Sequence, residues 1–153
     1  MSQRIVSLLP SATEIVCALG LADQLAGVSH ECDYPPSIAG RPVLTEPKIN
    51  PRAASAQIDR DVRRLVADGL SVYRIKTDVL QRLQPDLIVT QDQCDVCAVS
   101  FAEVERAAQE CLGAAVKIVS LRPTRLDDIL ADIARVAEAT DRVDAGATLL
   151  TQM

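Results

Sequence analysis

Aromatic side chains are nearly absent: one Phe, two Tyr and no Trp stand among 153 residues. The core must therefore be built from Leu, Ile, Val and Ala, and a ligand pocket has few flat rings to offer. Histidine is scarcer still, with His30 alone, and no serine sits in a nucleophile-elbow setting. Together with the absence of paired rim carboxylates, this leaves no enzyme activity to assign. No apolar run approaches the roughly 20 residues of a membrane-spanning helix. The opening Ile5-Val6-Ser7-Leu8-Leu9, closed by Pro10, is too short for the core of a secretion signal, so the residues by themselves point to a cytoplasmic protein. Basic charge is in deficit: 16 Lys and Arg against 21 Asp and Glu leave −5, with no block of one sign. Nucleic acid is not an expected partner, because phosphate binding needs a concentrated basic face.

What is present suffices for one domain, since 48% hydrophobic residues can bury a sizeable core at this length. Residues 4–9 read as a strand, and Ala12, Ile15, Val16 and Leu19 then recur at helical spacing up to Gly20. Ser11 with Glu14 three residues on has the form of a capping box; the alternative role for Ser11 is ligand contact. Leu25 to Ser29 reads as a second strand that opens into the polar loop His30 to Pro36. Five of the eight prolines fall between residues 35 and 51, with Val43-Leu44 as a short edge strand. Residues 53–68 form an amphipathic helical pattern stopped by Gly69. Strands are expected at 70–75, 85–90 and 116–121, with helical patterns at 78–83 and 101–112 between them. Thr124 caps a last pattern running towards Leu150, which as one helix would span on the order of 40 Å.

Alternating strands and helices imply a three-layer, Rossmann-like α/β fold: a mainly parallel sheet, helices on both faces and a long C-terminal helix. The expected division is an α/β ligand-binding lobe over 1–123 and the long helix over 124–153, packed on the same lobe. Loops that follow strands then share one edge, where such sheets bind ligands. That edge should carry Pro10, Ser11, the stretch from Ser29 to Tyr34, the stretch from Gln91 to Cys97, and Arg122.

The run from Arg4 to Glu14, Gly27-Val28-Ser29 with Asp33-Tyr34-Pro35-Pro36, and the run from Leu83 to Val89 resemble, in order and spacing, the cobalamin-binding and iron-siderophore-binding proteins of ABC importers. The resemblance spans nearly the whole chain. It implies two α/β lobes joined by one long helix, with a small-molecule ligand (a corrinoid or related metal chelate) in the cleft between them, and it needs no further cofactor. On this reading the chain corresponds to the N-terminal lobe, and its site would be periplasmic or at the cell surface. Pro10, Ser11, Thr13, Ser29, Asp33 and Tyr34 fall on positions that face the ligand in that family, and Gln91, Asp92 and Arg122 complete the rim. Tyr34 stands out as the one aromatic on the expected rim. Asp78 falls near an acidic residue that docks to the ABC permease; the alternative is an ordinary acid at a helix N-terminus. A homodimer is a further expectation, since an apolar stripe on the long helix would otherwise lie bare.

The five cysteines admit a different reading. His30 and Cys32 share one rim loop, Cys94 and Cys97 another, so the four could form a Cys3His site for zinc or another metal. The Cys-x-x-Cys pair could equally be redox-active, or the thiols could be inert. Cys17 and Cys111 fall among apolar helix residues and are expected in the core.

Overall fold

The computed structural model describes residues 2–68, 70–94, 97–113 and 116–153; the helix stop expected of Gly69 lies outside them. Four short β-branched or leucine-rich runs form a parallel sheet: β1 (Ile5–Ser7), β2 (Leu25–Val28), β5 (Leu87–Gln91) and β6 (Lys117–Leu121), in the order β2-β1-β5-β6. The register pairs Val6 with Ile88 and Ile88 with Ile118. Alternation of side chains along each strand splits the core in two. Ile5, Leu87, Val89 and Val119 pack on one face with Ala12 and Val16 of α1 (Pro10–Ala18) and Val136 and Ala137 of α5 (Leu126–Ala139). Val6 and Ile88 pack on the other with Leu80 of α3 (Thr77–Leu83) and Val104 of α4 (Phe101–Leu112). Both faces of the sheet are therefore covered by helices, which explains why its strands are apolar on both sides.

A second element was not legible as such in the sequence. β3 (Thr45–Pro47) and β4 (Tyr73–Ile75) pair antiparallel as a ribbon, with Pro47 opposite Tyr73, and α2 (Ser55–Ala67) lies in the connection between them. The expected edge strand at Val43-Leu44 is two residues early: Val43 makes only an isolated bridge to Val28. Backbone bonds from Val28 to Pro42 (2.9 Å) and from Leu44 to Val28 (2.9 Å) fasten the ribbon beside β2. The approach is so close that a Cβ at Gly27 would overlap the Leu44 side chain and lie 3.1 Å from the Pro42 carbonyl oxygen. Lys48 adds an ion pair to Glu103 of α4 at 3.1 Å.

Two local readings are corrected. Ser11 does not cap α1: Leu9 holds the extended N-cap backbone and Pro10 takes the first helical position, where its fixed φ suits the turn and its missing N–H costs nothing. The long C-terminal helix is two helices, α5 and α6 (Val143–Gln152). The chain breaks where the Thr140 hydroxyl bonds back to the Val136 carbonyl (2.8 Å) and Asp141 adopts φ 56°. Gly146 of α6 then comes so near α5 that a Cβ would meet that of Ala137 at 2.6 Å. Ile133, Val136 and Ala137 are consequently buried, while Leu126 and Ile129 of α5 and Val143 of α6 stay exposed. At the start of α5, Thr124 donates its hydroxyl and backbone N–H to Asp128 (2.8 and 2.9 Å), close to the expected cap. No helix among the described residues is long and apolar enough to cross a membrane.

Candidate functional site

The parallel sheet ends on the edge where β1, β2 and β5 release their loops, and the ribbon brings Thr45 and Tyr73 to the same place. The Thr45 hydroxyl is the hub. It donates to Ser29 Oγ (3.0 Å), accepts from the His30 backbone N–H (3.0 Å) and lies 2.7 Å from His30 Nδ1. With the Thr45 proton given to Ser29, Nδ1 is the donor in that last bond, and the orientation of the ring is set. His30 Nε2 faces the Glu31 carboxylate at 3.0 Å, and the imidazole leans on Tyr73, with ring centroids 5.1 Å apart and planes tilted by 51°. Burial, with the nearby charges of Glu31 and Cys97, pushes the Tyr73 phenol up from its ordinary value, so it stays a neutral donor over the physiological range.

Beside this cluster opens a crevice of about 390 Å³, walled by His30, Glu31 and Tyr73 on one side and by Ile58 and Val62 of α2 on the other. The arrangement is apolar with a few fixed polar groups, the usual chemistry of a small-molecule site. Sequence reading missed Tyr73, because a tyrosine in an isolated strand pattern carries no sign of which edge it will reach.

The expected rim residues divide into three sets. Pro10, Ser11, Asp33 and Tyr34 are exposed. Thr13 is not available: it is fully buried, donating to Ser7 Oγ (2.8 Å) and lying 3.2 Å from Cys32 Sγ. It faces inward because α1 turns that side to the sheet. Ser29 is 5% exposed, and its hydroxyl serves Thr45 and the Glu31 N–H. Gln91 donates to the Cys94 carbonyl (3.0 Å), and Arg122 pairs with the Asp92 carboxylate, so these three brace the loop after β5. Tyr34, 59% exposed, belongs to a different crevice, of about 420 Å³, with Ile15, Cys17, Ile133, Leu149 and Met153. Tyr34 is thus not the one aromatic of the rim. Asp78 is exposed on α3 and pairs with Arg82 at 3.4 Å.

The Cys3His site is not assembled. Cys32 turns towards Thr13 and away from the loop after β5, its thiol raised by burial, and among the described residues no three His, Cys, Asp or Glu side chains are grouped to hold an ion. Cys97 alone of the three thiols reaches the His30 cluster, at a narrow recess with Leu8, Ser29 and Val99. Cys17 and Cys111 pack half-buried against the two core clusters, as expected.

A parallel sheet with helices on both faces and a polar cluster on its carboxyl edge is an architecture that places small-molecule sites at that edge. The comparisons with known proteins agree: the chain is similar in sequence to vitamin B12-binding proteins, and its fold resembles periplasmic binding proteins for vitamin B12, heme and iron. It is 30% identical over 137 residues to a vitamin B12-binding protein of Pectobacterium carotovorum, which covers 90% of this chain and 38% of that protein. The crystal structure of the periplasmic vitamin B12 binding protein BtuF of Vibrio cholerae superposes with a TM-score of 0.62 at 25% identity, over 98% of this chain and 46% of that one. The periplasmic heme-binding protein RhuT from Roseiflexus sp. RS-1 gives a TM-score of 0.67 at 23% identity, over 99% and 46%, which is a likeness of fold. No family model matches. The chain spans less than half the length of the relatives it matches, and those relatives are named as binding proteins rather than enzymes.

Proposed function

We propose that this chain is the N-terminal ligand-binding lobe of a solute-binding protein for a corrinoid or a related metal chelate, and that it works with an ABC-type permease in the periplasm or at the cell surface. The observation that carries the reading is the cluster of His30, Glu31, Thr45 and Tyr73 on the carboxyl edge of the sheet, in a chain related over 90% of its length to a vitamin B12-binding protein. Corrinoids and tetrapyrroles are broad, largely apolar and fringed with amides or carboxylates. The crevice matches that pattern with apolar walls from α2, a phenol and an imidazole–carboxylate pair. Exposed Pro10, Ser11, Asp33 and Tyr34 extend the face towards the ligand's periphery, and Asp78 on α3 is the proposed contact to the permease.

Isothermal titration of the chain with cobalamin, cobinamide and heme tests the reading. Saturable heat with either corrinoid, weakened by Tyr73→Ala, is the expected outcome. Heat with heme alone would move the ligand class to iron tetrapyrroles, and a flat titration with all three would overturn the proposal.

A further inference from the structure

Cys94 and Cys97 belong to the loop between β5 and α4, and nothing in the proposed ligand binding uses them. Their sulfurs lie 2.7 Å apart, and Cys97 is exposed while Cys94 is partly covered. The described residues on either side of the pair are fixed. The Gln91 side chain holds the Cys94 carbonyl, and Ala98 and Val99 are buried immediately after Cys97. Two sulfurs held in contact, one of them open to solvent, form the geometry for thiol–disulfide exchange: the exposed thiol meets the reagent and the covered one resolves it. From this placement we propose that Cys94 and Cys97 are a thiol–disulfide exchange site on the binding rim, oxidised by low-molecular-weight disulfides.

The step balances as follows. The Cys97 thiolate attacks one sulfur of a disulfide RSSR, forming a Cys97–SR bond and releasing RS⁻. The Cys94 thiolate then attacks the Cys97 sulfur, forming the Cys94–Cys97 bond and expelling the second RS⁻. Both cysteine protons end on the released thiolates, so two protein thiols are oxidised and RSSR is reduced to two RSH. The hydrogen bond that the Cys97 thiol donates to the Cys94 sulfur is the chief cause that holds Cys97 above its ordinary range, with burial adding to it. Exchange therefore accelerates as pH rises through the thiol range. The product would lock the wall of the recess that Cys97 and Val99 share with His30. Cys17 and Cys32 are each partly buried, unlike the exposed Cys97, and are not expected to react.

The reduced chain is treated with oxidised glutathione, quenched in acid and alkylated, and its thiols are counted by intact mass and tryptic mapping. The expected result is loss of two of the five alkylatable thiols, no retained glutathione, and a 83–106 peptide lighter by two hydrogens. In Cys94→Ser the resolving thiol is missing, so a glutathione adduct accumulates on Cys97. Five alkylated thiols, a stable glutathione adduct on wild-type Cys97, or a bridge in the 5–48 peptide that holds Cys17 and Cys32 would each overturn the proposal. The readout contains no corrinoid, so it stands or falls separately from the ligand assignment.

Discussion

The crevice beside His30 and Tyr73 and the crevice beside Tyr34 and Met153 are close in size, about 390 and 420 Å³, yet they differ in how their walls are held. In the first, most of the polar groups are held in place: Thr45 bonds His30 and Ser29, and the two rings lean on each other, while His30 Nε2 lies beside the Glu31 carboxylate with no hydrogen-bond partner among the described residues. The second is lined by the sides of α1, α5 and α6 and by an exposed tyrosine, with Glu14 as its one acidic side chain. Volume alone does not separate a binding site from a packing defect between helices. Preorganised polar groups do, because a ligand that meets them pays little to order them.

Six substitutions sharpen or break this contrast. The largest effect is expected from Gly27→Ala, which drives a methyl group into Leu44 and against the Pro42 carbonyl. Overpacking of this kind costs about 3 kcal/mol, and a thermal melt should fall by roughly 10 °C, with the ribbon that carries Thr45 losing amide-exchange protection first. Protection lost equally around α6 would mean that the two crevices are not independently supported.

Thr45→Val keeps the shape but leaves the His30 N–H, the imidazole and Ser29 without their shared partner. Stranding buried polar groups costs about 2 kcal/mol, measurable by denaturant unfolding. Thr148→Val, which removes an exposed hydroxyl bonded to Asp144 on α6, should change stability by no more than about 0.5 kcal/mol.

In corrinoid titration, Tyr73→Ala is expected to weaken binding about tenfold, or about 1.4 kcal/mol. Tyr34→Ala should change it less than about threefold. The reverse ranking would place the ligand over the α1–α6 crevice instead.

A small effect also belongs to Asp86, on the opposite edge of the sheet. Its carboxylate accepts from the Arg4 backbone N–H (2.8 Å) and pairs with the Arg4 guanidinium, and these bonds hold its pKa below the ordinary value. A lowered folded-state pKa stabilises above the unfolded-state value, near 4, and the contribution is lost as pH falls through the folded value. Asp86→Asn should cost about 0.5 kcal/mol at neutral pH, the exposed setting limiting it, and the gap from wild type should close below about pH 4. A constant gap at all pH values would assign the effect to the backbone bond alone.

Local signals were read well where one kind of interaction dominates. The α4 bounds from Phe101 to Leu112 follow from Ser100, whose hydroxyl accepts from the Glu103 N–H, and from the glycine after them; β5 follows from an apolar run buried on both faces. The candidate site was half legible. His30 and Ser29 lie on the expected edge because they follow β2 directly. Tyr73 and Thr45 were missed because they reach that edge through a ribbon whose pairing joins residues far apart in sequence. Thr13 was misjudged because two residues, about half a helical turn, separate the exposed Ser11 from a core-facing threonine.

The amino-acid sequence by itself determined the alternation of strands and helices, the two-sided burial of the sheet and hence the edge on which ligand-binding loops must gather, since these depend on local periodicity and on the handedness of crossovers. Only the tertiary structure decided which side chains converge there. Thr45 became a hub, Cys32 turned inward, Cys94 met Cys97, and the last helix folded back at Asp141. Each of these outcomes depends on packing between distant segments, where a close approach permitted by Gly27 or Gly146 outweighs local preference.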